Sequence, residues 1–158
     1  MTRLAFLVLT GLIAAGPATA NEAAIERGRY LVTIAGCNDC HTAGFIVGAG
    51  KVPESQWLQG DRTGFSGPWG TTYPTNLRLA LGRLDLDDWK RYARTVVLRP
   101  PMPYWALNHM QEADLEALWH FTRSLGEAGE PAPAALPPGV EPPLPAFRLM
   151  LPPQTAAN

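Results

Sequence analysis

The chain has 158 residues and a mass of 17.1 kDa, enough for one modest domain with disposable ends and too short to call for two. Thirteen Lys and Arg side chains stand against 14 Asp and Glu, a slightly acidic balance that gives no basis for nucleic-acid binding. The cysteines are two, Cys37 and Cys40.

Residues 1–20 open with Arg3, continue in an apolar run from Leu4 to Ala15 and close on Ala18-Thr19-Ala20. A charged start, a short apolar stretch and small residues before the cut describe a secretory signal peptide, and a dozen apolar residues is short for a membrane span. The mature chain is expected to start near Asn21, in the periplasm, with no transmembrane segment. Residues 21–36 predict a first helix, with Ile25, Gly28, Leu31, Val32 and Ala35 on one face. Residues 41–84 are rich in glycine, contain Trp57 and Trp69, and show no sustained period. A loop of that length is usually functional or packed onto something.

Residues 85–98 predict a second helix: Asp85, Asp87 and Asp88 load its N-terminal end, and Trp89, Tyr92, Ala93, Val96 and Val97 form the stripe expected to be buried. Pro100 and Pro101 stop it. A third helix is predicted over 111–126, with Leu115, Leu118, Trp119, Thr122 and Leu125 on one face and Gly126 as its cap. From Pro131 onward proline recurs too often for helix or central strand, so residues 130–158 are expected to run extended over the surface or hang free. The domain proper is thus expected at 21–129. Three helices and long loops leave a small core that something else must complete.

The stretch Cys37-Asn38-Asp39-Cys40-His41 admits four readings. A structural disulfide between these cysteines would close a tiny loop and restrain the unfolded chain little. A redox dithiol belongs in a strand-helix setting, which the sequence does not offer here. A structural zinc site needs four ligands, and the other histidines, His109 and His120, come without a second cysteine pair. The fourth reading is attachment of a c-type haem: each thiol joins one vinyl group, and the adjacent histidine becomes an axial ligand of the iron. Two intervening residues on a helical turn present both sulfurs to vinyl groups a fixed distance apart. A large apolar ring would also give the irregular loop something to pack on.

His41 fills one axial position, and the mature chain offers Met102, Met110, Met150, His109 and His120 for the other. Met102 sits in Arg-Pro-Pro-Met-Pro-Tyr-Trp, where three prolines stiffen the loop and let it present a thioether at low entropic cost. Met110 has another use, as partner of Leu115 in a hydrophobic staple around Gln111. Imidazole opposite a thioether raises the reduction potential, and two filled axial positions leave oxygen no ready place to bind.

With these residues in place the chain resembles the class I c-type cytochromes of the bacterial periplasmic monohaem type, over about residues 22–128. The motifs that carry the resemblance are Arg27 to Val32 before the haem motif, Gly67 to Leu77, Pro100 to Trp105, and Asp114 to Phe121. It implies a mainly α cytochrome c fold, three or more helices wrapped around one covalent haem c. It also implies a crossing of first and last helices at Gly28 with Trp119 or Phe121. Cys37, Cys40 and His41 match the haem-bearing and proximal positions, and Met102 the methionine ligand. Pro53 matches the proline whose carbonyl orients the proximal histidine, and Trp57, Trp69, Tyr73, Asn76 and Leu77 resemble haem-pocket positions. Two departures stand out: Leu-Arg-Leu-Ala-Leu-Gly replaces the Asp- and Gly-containing loop many relatives carry after Asn76, and the Pro-rich tail lies outside the common core.

The expected function is single-electron transfer between a donor, such as a periplasmic dehydrogenase, and another cytochrome or a terminal oxidase, with no catalytic residues of its own. The alternative is a haem-based sensor or small-molecule enzyme with an open sixth position. Arg78, Arg83, Lys90, Arg91, Arg94 and Arg99 could steer an acidic partner, or form a solvated face balanced by the aspartates at 85, 87 and 88.

Overall fold

The computed structural model describes residues 19–150; the expected leader, apart from Thr19 and Ala20, lies outside them. The described chain is mostly helical, with one small sheet. Its first helix, α1 (Ala20–Ile34), starts in a capping box in which Thr19 and Glu22 satisfy each other's backbone amides. The expected cut after Ala20 therefore falls in the first turn of α1. Gly28, Leu31 and Val32 form its buried face, and Arg29 binds Glu54 through Nε at 2.6 Å, tying α1 to the loop that follows.

Gly36 follows with φ 69°, a left-handed conformation that glycine adopts without steric cost. It turns the chain directly into α2 (Cys37–His41), one short turn that carries the whole Cys-x-x-Cys-His stretch. The loop beyond it is held from inside. The buried Thr42 hydroxyl donates to Asn38 Oδ1 at 2.7 Å and accepts the Leu58 amide at 2.8 Å. Gly60 N–H donates to the His41 carbonyl at 2.8 Å. A hairpin of β1 (Gly64–Gly67) and β2 (Gly70–Thr72) follows.

Asn76 then caps α3 (Leu77–Gly82) by accepting the Leu79 amide. This helix was not expected, because six residues show too little of a 3.6 period to register. Its Arg78, expected on a solvated basic face, is 4% exposed and bonds the carbonyls of Trp57, Leu125, Glu54 and Ser55.

Asp85 caps α4 (Leu86–Thr95), three residues shorter at its C-terminus than the apolar pattern suggests. Asn108, at the end of α5 (Tyr104–Asn108), donates through Nδ2 to the carbonyls of Ala93 and Val96 and so closes the α4 terminus. Of the stripe expected to be buried, Trp89 and Ala93 are buried, while Tyr92 is exposed and Val97 is 75% exposed, past the helix end. The last helix, α6 (Glu112–Ser124), takes Gln111 as its N-cap residue, and Met110 packs against the core beside it. Phe121, off the predicted stripe, is its largest fully buried side chain.

The core lies where α1 crosses α6, with α3 and α4 against the far side of α6. Gly28 permits the crossing: a Cβ there would fall 2.1 Å from the Ala117 carbonyl oxygen and 2.5 Å from Phe121 Cβ. Of the two aromatics considered for this contact, Phe121 makes it. Trp119 instead donates to the Leu84 carbonyl at 3.1 Å, bracing the turn between α3 and α4.

Over its described residues, which end at Met150, the Pro-rich tail neither hangs free nor merely crosses the surface. Leu136 forms an antiparallel bridge with Thr71, and β3 (Ala146–Arg148) pairs in parallel with β1, giving the strand order β2-β1-β3.

Candidate functional site

Between α2, α3, α4 and the tail lies a cavity of about 840 Å³, within the size range of sites for organic ligands. Cys37, Cys40 and His41 line it from α2, and Met102 lines it from the proline-stiffened loop before α5. Tyr73, Thr75, Asn76 and Leu77 come from the segment after β2. Leu58, Leu81, Leu84, Leu98, Leu107 and Leu118 supply much of the remaining wall. The cavity thus joins residues more than sixty positions apart in the chain through the packing of α6 against its neighbours.

His41 Nδ1 lies 2.7 Å from the Thr75 carbonyl. A carbonyl can only accept, so Nδ1 carries the hydrogen and Nε2 keeps the lone pair, the tautomer a metal ligand requires. Burial, the larger influence, holds the imidazole below its ordinary pKa, with the Thr75 bond opposing. Pro53, expected to supply the orienting carbonyl, does not line the cavity; its oxygen accepts the Gln56 amide at 2.8 Å in a short turn. The glycine-rich insert carries Pro53 away, and the Pro74-Thr75 step brings a carbonyl to the same ring.

The two thiols are free in the structure. Burial pushes the Cys37 thiol up to about 11, with Asp39 and Cys40 adding to it, and burial likewise raises Cys40. A redox dithiol needs the reverse, an accessible and stabilised thiolate. Among the described residues no group of three His, Cys, Asp or Glu side chains could hold a metal ion, so a zinc site has no set of ligands there. Two thiols, an imidazole with its lone pair free and a thioether, set in apolar walls, fit the attachment and axial ligation of a c-type haem.

Trp57 and Trp69 do not line the cavity. Trp57 sits behind it, edge-on to Phe45 and Phe121, with Nε1 donating to the Val52 carbonyl at 2.8 Å. Trp69 closes the hairpin turn against Gly67. Asn76 does line the cavity, and its amide also donates to the carbonyls of Ala128 and Glu130.

Sequence reasoning missed two groups of lining residues. Arg83 and Arg99 reach the cavity, which has no Asp or Glu in its wall, and neither arginine has a carboxylate partner among the described residues. The other members of the expected basic cluster are engaged: Lys90 with Glu112 and Glu116, Arg91 with Asp88, and Arg94 with the Asn108 carbonyl. Pro131, Ala132, Pro133 and Ala135 of the tail form the second group.

No protein-family model matches the chain, and no solved structure does. Among curated proteins it is similar to the fructose dehydrogenase cytochrome subunit of Gluconobacter japonicus, 30% identical over 115 residues, or 66% of this chain and 22% of that one. It is also similar to a subunit of the nicotinate dehydrogenase of Pseudomonas putida, 29% identical over 72% of this chain and 10% of the relative. The cytochrome c subunit of the quinone alcohol dehydrogenase of Gluconacetobacter polyoxogenes is 26% identical over 94% and 33% of the two chains. The chain spans between a tenth and a third of the length of these relatives. Two of these relatives are cytochrome subunits of dehydrogenases, and the similarity to them is at low identity. Among the described residues no helix is long and apolar enough to cross a membrane.

Proposed function

We propose that the chain is a periplasmic monohaem c-type cytochrome that transfers single electrons between a dehydrogenase and a respiratory acceptor, as a subunit or a separate protein, and catalyses no reaction itself. The observation that carries the proposal is the convergence of Cys37, Cys40, His41 and Met102 on one apolar cavity, with Nε2 of His41 left as an acceptor.

Haem, when bound, supplies a one-electron iron couple. Cys37 and Cys40 would hold it by thioether bonds, and His41 Nε2 and Met102 Sδ would be the residues that bind its iron. The Thr75 carbonyl fixes the plane and tautomer of His41. The leucine walls and Tyr73, Pro74 and Leu77 keep water out, which with a thioether ligand favours a high reduction potential. Arg83 and Arg99 are placed to meet acidic groups on an otherwise apolar ligand, a demand the two propionate carboxylates of haem satisfy.

The test is expression of the full chain with cytochrome c maturation machinery. The expected result is a haem spectrum that survives denaturation and a reduced protein that binds carbon monoxide only after Met102→Ala. Loss of the chromophore on denaturation would overturn covalent attachment, and carbon monoxide binding by the unaltered protein would overturn the methionine ligand in favour of a sensor or enzyme.

A further inference from the structure

The Pro-rich tail forms part of the cavity wall. Pro131, Ala132, Pro133 and Ala135 line it, and the segment is fastened at both ends. At its start, Asn76 Nδ2 donates to the Ala128 carbonyl at 2.8 Å and the Glu130 carbonyl at 3.2 Å. At its end, Leu136 exchanges both backbone hydrogen bonds with Thr71, at 2.9 and 3.0 Å. Gly70 makes that second fastening possible, since a Cβ there would lie 2.2 Å from the Leu136 carbonyl oxygen. Beyond it, the Pro145 carbonyl accepts the Gly64 amide at 3.0 Å and Leu149 donates to the Ser66 carbonyl at 2.8 Å. Prolines at 131 and 133 restrict the unfolded chain and expose no amide to the cavity, so the segment costs little to order.

We propose that residues 131–136 are a fixed wall of the cofactor site whose function is to raise the reduction potential by keeping water from one side of it, an inference that rests on the haem reading above. Oxidation adds a positive charge to the iron. A wall of proline and alanine in place of water leaves that charge less well solvated, so the reduced state is favoured. The tail would then tune the centre, beyond bracing the hairpin.

The experiment introduces charges of opposite sign at one wall position in the full chain, Ala132→Asp and Ala132→Arg, and measures the midpoint potential of each haem-loaded protein. Val140, half exposed and not part of the wall, takes the same two substitutions as a control. The expected result is a lower potential for Ala132→Asp, a higher one for Ala132→Arg, and no separation of the Val140 pair. Equal potentials for the two Ala132 variants, or a separation no larger than that of the Val140 pair, would overturn the proposal.

Should neither Ala132 variant mature, Leu136→Pro removes one of the two bonds to Thr71. It is expected to lower the potential and to speed hydrogen exchange in the hairpin by up to about tenfold, the equivalent of one hydrogen bond of roughly 1.4 kcal/mol. Faster exchange at an unchanged potential would overturn the wall's tuning role. A wild-type chain without covalent haem would overturn the reading of the site itself and is recognised by its spectrum before any potential is measured.

Discussion

Gly28→Ala isolates the contact on which the fold turns. The added Cβ would lie 2.1 Å from the Ala117 carbonyl oxygen, 2.5 Å from Phe121 Cβ and 2.8 Å from the Ala117 carbonyl carbon. An ordinary carbon contact is about 3.5 Å, so α1 and α6 must separate by roughly 1 Å along their whole crossing. No rotamer change relieves the clash, because the opposing atoms are backbone and Cβ. Overpacking of this kind costs about 1–3 kcal/mol and more where nothing can yield, and alanine's better helix propensity returns about 1 kcal/mol. The net expectation is a loss of about 2 kcal/mol, which for a domain of this size lowers Tm by about 6–10 °C. The assay is thermal and urea unfolding of the haem-loaded protein, with Gly82→Ala as comparison. A Cβ at Gly82 meets only the tip of the flexible Glu127 side chain, 2.9 Å away, so that variant should match or slightly exceed the wild type. A Gly28→Ala protein that melts at or above the wild-type temperature would refute the close crossing.

Three further expectations follow from the same geometry. Arg78→Ala takes a donor from four carbonyls in a site where Arg78 is 4% exposed; those of Glu54 and Ser55 keep the Trp57 amide and Gln59 Nε2, while those of Trp57 and Leu125 lose the side chain that satisfies them. The variant should cost about 3–5 kcal/mol in urea unfolding; Arg78→Lys should restore less than half, since an ammonium cannot span the positions a guanidinium fork reaches. In the tail, the Arg148 hydrogen bond holds the Glu141 carboxylate below its usual pKa. A lowered folded-state pKa contributes stability above the unfolded value, near about 4.3, and loses it as pH falls through the folded value. Hydrogen-exchange protection of β3 should therefore weaken in that acid window, and Glu141→Gln should abolish the pH dependence while leaving the exchange at pH 7 slightly faster. Finally, Arg83→Gln with Arg99→Gln removes two positive charges from the wall of the cavity and should lower the reduction potential of the loaded protein; an unchanged potential in a protein with a native spectrum would show that neither guanidinium faces the haem.

The helices legible in the sequence were those that carry their own signals. Around α1 the apolar spacing at Ile25, Gly28, Leu31 and Val32 marks one face, and the aspartate at 85 and the glutamine at 111 mark the starts of α4 and α6 within a residue. Where local pattern and tertiary context conflict, the pattern misleads. Val97 extends the apolar stripe of α4 but lies past its end, because Asn108 from α5 takes the carbonyls that would have continued the helix. Arg78 belongs to a run of basic residues yet is buried, because carbonyls from the loop at 54–57 and from Leu125 converge on it. Neither partner is near in sequence, so no window reveals them.

The sequence alone set the expectation for α2: Cys37, Cys40 and His41 fall within one turn, and their spacing, in a chain with no other cysteine, favoured haem attachment over a disulfide, a redox dithiol or a zinc site. It also singled out Met102, whose proline neighbours restrict its loop locally. Tertiary structure decided which carbonyl holds His41, which aromatic lies against Gly28, and that the tail joins the cavity wall. Each of these depends on two segments meeting across dozens of residues. The backbone oxygen of Thr75 and the small side chain of Ala132 have no distinguishing chemistry until packing places them beside the site.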